Sequence, residues 1–248
     1  MIDTQGGPGP PNQGTFSMST QARHLSRWTR GAILAGFALG AAVNLGGCIV
    51  GSMIGGMAES YQRSGTTKFQ ADYPDLAGHS YAVVVHADRA IQGAEPGLVS
   101  RLTSRINDRI ARNLMGTPGT AFIPSDRLLS VLYNNPQWPA LPPSELGKML
   151  GVERLVWIDL AEYRLNEPGN QYLWEGVAAG AVSVYDVNAP LADDPVFDRM
   201  IQVGFPDSSG FMRTEIAEAA VTSELSKRFV NRAAWLFYEH EEPNSIAY

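Results

Sequence analysis

Four groups of side chains have types and spacings that can do chemistry. His86 and Asp88 flank Ala87 at the end of the apolar run SYAVVVH, and an imidazole beside a carboxylate can act as an acid or base near neutral pH. A strand-end histidine with a solvated aspartate is the simpler and favoured reading. Glu239-His240-Glu241-Glu242 offers oxygen and imidazole donors suited to a divalent ion. Its place near the C-terminus favours a frayed acidic tail instead, and no metal site is expected. Arg101, Arg105, Arg109 and Arg112 form a stripe along one predicted helix, able to meet lipid phosphates or an acidic partner. A solvated face paired with Asp108 is favoured over that. Trp138, among Pro136, Pro139, Pro142 and Pro143, serves equally well as a recognition surface or as a cover for core residues.

No Gly-x-Ser-x-Gly elbow, Gly-Lys-Ser/Thr phosphate loop, His-Glu-x-x-His helix or Gly-x-Gly-x-x-Gly turn is present. The expectation is a protein that binds rather than catalyses, without a cofactor. An enzyme built on His86 and Asp88 is the competing reading. It requires both groups to share a concave pocket with further polar side chains.

The lone cysteine, Cys48, is explained by what precedes it. Residues 1–17 are rich in Gly, Pro and polar side chains and are too poor in apolar ones to fold; Met18 is an alternative start. From there Arg23, His24, Arg27 and Arg30 form a basic region, and residues 31–45 run without a charge into Leu45-Gly46-Gly47-Cys48. That is the order of a secretory signal. Its ending resembles the lipobox of bacterial lipoproteins, position by position. The resemblance implies diacylation of Cys48, cleavage before it by the lipoprotein signal peptidase, and an anchor of buried acyl chains. Ile49, rather than aspartate, follows the cysteine, which under the enteric sorting rule favours the outer membrane. A single-pass helix is the alternative, because apolar and small residues continue to Ala58 and Gly47, Gly51 and Gly55 have helix-packing spacing. Either reading places the rest of the chain outside the cytoplasm.

With 19 basic and 25 acidic residues the formal charge is −6. Removing residues 1–47, which hold Arg23, Arg27, Arg30 and Asp3, leaves 16 and 24. Such a balance disfavours a nucleic-acid partner. The length allows one ordinary domain plus extensions.

The elements that must position these groups follow from pattern. Residues 59–78 are polar and lack a clean period, which reads as a tether. Residues 80–86 are short and β-branched, as in a buried strand. Leu98, Leu102, Ile106, Ile110 and Leu114 recur every fourth residue after Pro96, predicting a helix stopped at Gly116. A short strand is expected at 120–123, then a helix capped by Ser125 and a second capped by Ser144. Long strands follow at 152–165, 176–187 and 197–205, the last two joined by NAPLADDP, and a helix closes at 213–238. The predicted fold class is α/β (α+β), a single mixed or antiparallel sheet with packed helices in the order β-α-β-α-α-β-β-β-α. The expected organisation is an extension (1–17), a signal peptide (18–47), anchor and tether (48–78), a globular domain (79–240) and a tail (241–248).

In LGKMLGVERLVWIDLAEY, a helix ends in Leu-Gly-Val-acid before a strand. With the opening SYAVVVHADRA, this resembles the α/β domains of the TolB amino-terminal region, the curli-secretion lipoproteins and the penicillin-binding-protein activators. The resemblance covers roughly residues 75–240. It implies an accessory or binding subunit of an envelope assembly or transport system, with an envelope protein as partner. The Pro-rich, acidic hairpin loop and the lack of long amphipathic β-segments depart from a curli-type pore.

Overall fold

In the computed structural model the described residues are 65–207, 210–244 and 246. The chain divides into Met1–Ala58 and Glu59–Tyr248, and every described residue belongs to the second unit. In chain order the elements are β1 (Thr66–Phe69), β2 (Ser80–Ala87), α1 (Arg89–Ala94), α2 (Leu98–Leu114), β3 (Ala121–Phe122), α3 (Ser125–Asn134) and α4 (Pro143–Leu150). They continue with β4 (Arg154–Arg164), β5 (Leu173–Trp174), β6 (Gly176–Asp186), β7 (Pro195–Phe205), β8 (Phe211–Met212), α5 (Glu218–Trp235) and β9 (His240–Pro243). Among the described residues no helix is long and apolar enough to cross a membrane.

The main sheet has five strands in the order β3-β2-β4-β6-β7. β2 is parallel to both β3 and β4, while β4, β6 and β7 form an antiparallel meander. This is the expected mixed α/β architecture. Alternation along β2 sends Tyr81, Val83 and Val85 into one cluster and Ala82 and Val84 into another. The first cluster takes Leu98, Leu102, Ile106 and Ile110 of α2 with Leu225, Phe229 and Ala233 of α5. The second takes Leu128 and Leu132 of α3 with Leu146 and Leu150 of α4. Helices therefore cover both faces of β2. Each buried Leu or Ile of α2 contributes about 1.5–3 kcal/mol by leaving water, so a helix carrying four arginines still docks on the sheet.

The expected caps are corrected. Ser125 and Ser144 lie inside α3 and α4, whose N-cap positions are Pro124 and Pro142. The α4 start is capped from a distance, since Ser144 N donates to Asp193 Oδ1 at 2.9 Å, and those bonds hold the Asp193 carboxyl below its ordinary range. The last helix is shorter than expected, running from Glu218 to Trp235. A further helix, α1, follows β2 directly.

Glu153, the acid of the Gly-Val-Glu pattern, fastens the start of β4 to that of β2. Its Oε2 accepts from Ser80 N at 2.8 Å and Ser80 Oγ at 3.1 Å. Those bonds lower its pKa. A carboxyl lowered on folding stabilises the fold above its unfolded pKa, and that gain is lost as pH falls through the folded value. Glu153→Gln should therefore unfold at a lower urea midpoint than the natural chain at pH 7. The gap should close as the buffer is taken down through the carboxylate range; a gap independent of pH would contradict this role.

Two ribbons extend the core. β1 pairs antiparallel with β9, Thr66 opposite Pro243 and Phe69 opposite His240. The segment expected as tether is thus paired from Thr66, and the expected tail is a strand as far as Pro243. His240 stacks on Trp235 at 4.6 Å and on Phe69 at 5.7 Å, and Glu242 bonds both His240 and Arg232. β5 pairs with β8, and Trp174 of β5 donates its indole N–H to Ile216 O at 3.0 Å.

Candidate functional site: a groove at the carboxyl end of β2

β2 leads through α1 into α2, which packs on one face of the sheet; α3 follows β3 and packs on the other. The two chain paths part at the carboxyl end of β2, the position at which open α/β sheets leave a crevice. A groove of roughly 1170 Å³ lies there. Its floor is Val85, His86 and Ala87, its walls are Val99 and Thr103 of α2 and Leu129, Leu132 and Tyr133 of α3, and its rim is the loop carrying Trp138.

The floor exists because β3 stops after two residues. His79 O and Tyr81 O accept from Ala121 N and Ile123 N, so the odd residues of β2 turn their main-chain groups toward β3. Past Ile123 no strand among the described residues meets them. Side chains take over: Thr103 Oγ1 accepts from Val85 N at 3.3 Å, and Gln92 Nε2 donates to Ala87 O at 2.6 Å. The upper half of β2 is thus a strand edge inside a cleft, satisfied by side chains where the sheet supplies none.

His86 and Asp88 both line this groove, yet they are not a pair. Asp88 is spent as the N-cap of α1, accepting from Ile91 N at 2.8 Å. The carboxylate beside His86 is Asp159, directly opposite it in the parallel register of β2 and β4, with Nδ1 to Oδ1 at 2.9 Å. Trp138 and Trp157 each lie 6.2 Å from the His86 ring and 5.4 Å from each other. Trp138 packs on the second core cluster, the covering role weighed for it, and also forms part of the groove rim. The register of the floor is tight: a Cβ on Gly180 of β6 would sit 2.5 Å from Asp159 O, which excludes a side chain there. SYAVVVH and RLVWID each read as an apolar strand core, but nothing in either run marks the His86 and Asp159 pair: only the parallel register of β2 and β4 brings residues 73 positions apart together.

The arginine stripe divides. Arg101 Nη1 donates to Pro96 O at 3.0 Å, beside the groove. Arg105, Arg109 and Arg112 line a separate depression of roughly 380 Å³ with Ser223, Lys227 and Asn231 of α5. Asp108, the expected partner of the stripe, instead accepts from Ser125 Oγ at 2.6 Å. Glu239 to Glu242 is not a frayed tail but belongs largely to β9, and among the described residues no group of three His, Cys, Asp or Glu side chains is placed to hold a metal ion. Cys48, the expected acylation site, and Leu45, Gly46 and Gly47, expected as its lipobox, lie outside the described residues.

No family profile matches the sequence, and no curated protein matches it. Solved structures give distant likenesses. Lipoprotein GNA1162 from Neisseria meningitidis is 9% identical, with a TM-score of 0.39 over 60% of this chain and 94% of its own. The PelC dodecamer from Paraburkholderia phytofirmans is 10% identical, with 0.36 over 69% and 96%. The LpoB C-terminal domain from Salmonella enterica is 11% identical, with 0.31 over 59% and 90%.

Proposed function

We propose that this is a lipid-anchored protein of the bacterial cell envelope, cut before Cys48 and acylated there, that serves as a binding or accessory subunit of an envelope assembly or transport system. Its domain holds an extended segment of a partner protein in the groove at the end of β2. The observation that carries the binding reading is the strand edge inside an aromatic cleft. An extended main chain laid beside Val85 and Ala87 continues the line of β3, replacing the Thr103 and Gln92 side chains as hydrogen-bond partners. Trp138, Tyr133, Leu129 and Leu132 then receive alternate side chains of that segment. The anchor raises the local concentration of the domain at the membrane surface.

A photo-crosslinking residue at Tyr133, which is 87% exposed at the groove, tests this in living cells. It should give a discrete adduct with an envelope protein, and the same residue at Tyr172, 82% exposed elsewhere, should not. Adding Trp138→Ala should weaken the adduct on the order of 30-fold, as loss of an aromatic anchor does. Equal adducts at both positions, or none at Tyr133, would count against the groove.

A further inference from the structure

We infer that the depression between α2 and α5 is a seat for the anionic head groups of the membrane to which the chain is anchored, a reading that rests on the acylation of Cys48. The protein is acidic overall, yet this face gathers Arg105, Arg109, Arg112 and Lys227 around one hollow, four cations against the one carboxylate in its lining, Asp108, with Ser223 as a further polar group. Among the described residues neither Arg105 nor Arg112 is in an ion pair. Arg109 uses its Nε on Tyr238 Oη at 3.3 Å. Of the nearby carboxylates, Asp108 is held by Ser125 and Glu224 bridges Lys227 and Arg228. Guanidinium groups so placed match phosphate oxygens in geometry as well as charge.

Location favours the membrane over a dissolved phosphate. Arg109 touches Tyr238, Tyr238 meets His240 edge to face at 6.4 Å, and His240 stacks on Phe69. The basic hollow is therefore contiguous with β1, where the chain arriving from Cys48 enters the domain. Thr66 is 18 positions beyond Cys48, a reach of at most about 65 Å at full extension. Docking this face leaves the groove at the end of β2 to the partner, since the two sites share no lining residue.

The test uses the full protein as purified from membranes and reconstituted in vesicles, with arginines labelled by an arginine-specific dicarbonyl and read by mass spectrometry. On vesicles containing phosphatidylglycerol, Arg105, Arg109 and Arg112 should label roughly ten-fold more slowly than on phosphatidylcholine alone, and Arg101 should not change. In a variant carrying Arg105→Glu and Arg112→Glu, both exposed positions, Arg109 labelling should no longer depend on lipid charge. Equal labelling on the two vesicle types overturns the inference and leaves the hollow to an acidic protein. Protection on phosphatidylcholine vesicles by added inorganic phosphate alone also overturns it, in favour of a free anion. Flotation with phosphatidylcholine vesicles reports the anchor separately: a chain that fails to float has lost the acylation reading, whatever its arginines show.

Discussion

Arg228→Ala is expected to destabilise the domain by about 3 kcal/mol or more, read as a fall in the urea midpoint with little change in slope. The Arg228 side chain is 3% exposed. Its Nη1 and Nη2 meet Asp207 Oδ1 and Oδ2 at 2.5 and 2.8 Å, Nη1 also donates to Gly204 O at 2.9 Å, and the guanidinium lies 5.0 Å over the Phe205 ring. The Asp207 bonds outweigh the burial of the charge and push the arginine pKa further up. Arg228 Nε also meets Glu224 Oε1 at 3.4 Å, so truncation removes the cation and leaves the Asp207 and Glu224 carboxylates and the Gly204 carbonyl facing the gap, and that leftover desolvation makes the loss large. Asp207 is itself 36% exposed, so water recovers part of it and the lower end of the range for a broken buried pair applies. Arg228→Met restores volume without charge and should remain well below the natural chain. Combining it with Asp207→Asn should recover part of the difference. If Arg228→Met alone were neutral, the pair would be packing and not electrostatics.

Cys48→Ala should abolish the membrane-held mature form. The two acyl chains implied by the lipobox contribute roughly 0.8 kcal/mol per buried CH₂. A dozen methylenes alone give on the order of 10 kcal/mol, a partition change of many orders of magnitude. No other cysteine can substitute. Fractionation of cells expressing the variant should show no acylated species and no mature band. If natural chain and variant partition identically, both with the leader intact, the apolar run through Ala58 is a membrane-spanning helix and the lipobox resemblance is accidental.

The core was legible wherever one period dominated. Four-residue spacing from Leu98 to Leu114 marks α2, whose ends fall within two residues of the expected Pro96 start and Gly116 stop; the Val83 to Val85 run marks β2, and the pattern of residues 152–165 marks β4 within two residues at each end. What stayed hidden was held by distant partners. Asp193 caps α4 from the loop between β6 and β7, and nothing local to Ser144 shows that. Asp88 looked like a base for His86 because the two are near in sequence, whereas α1 claims its carboxylate and the parallel register supplies Asp159. TTKF and HEEP are polar and short, so their local pattern suggests tether and tail rather than the β1 and β9 ribbon. They are ordered by each other and by the stack of Phe69, His240 and Trp235. The groove itself depends on an absence, the early end of β3, which no residue type announces.

Acylation at Cys48 stands or falls with the chemical state of the N-terminus. Mass spectrometry of the natural chain isolated from membranes should find an N-terminal peptide that begins at Cys48 and carries the mass of acyl chains. A peptide that continues unbroken from residues before Leu45 through Cys48, with its thiol free, would contradict it.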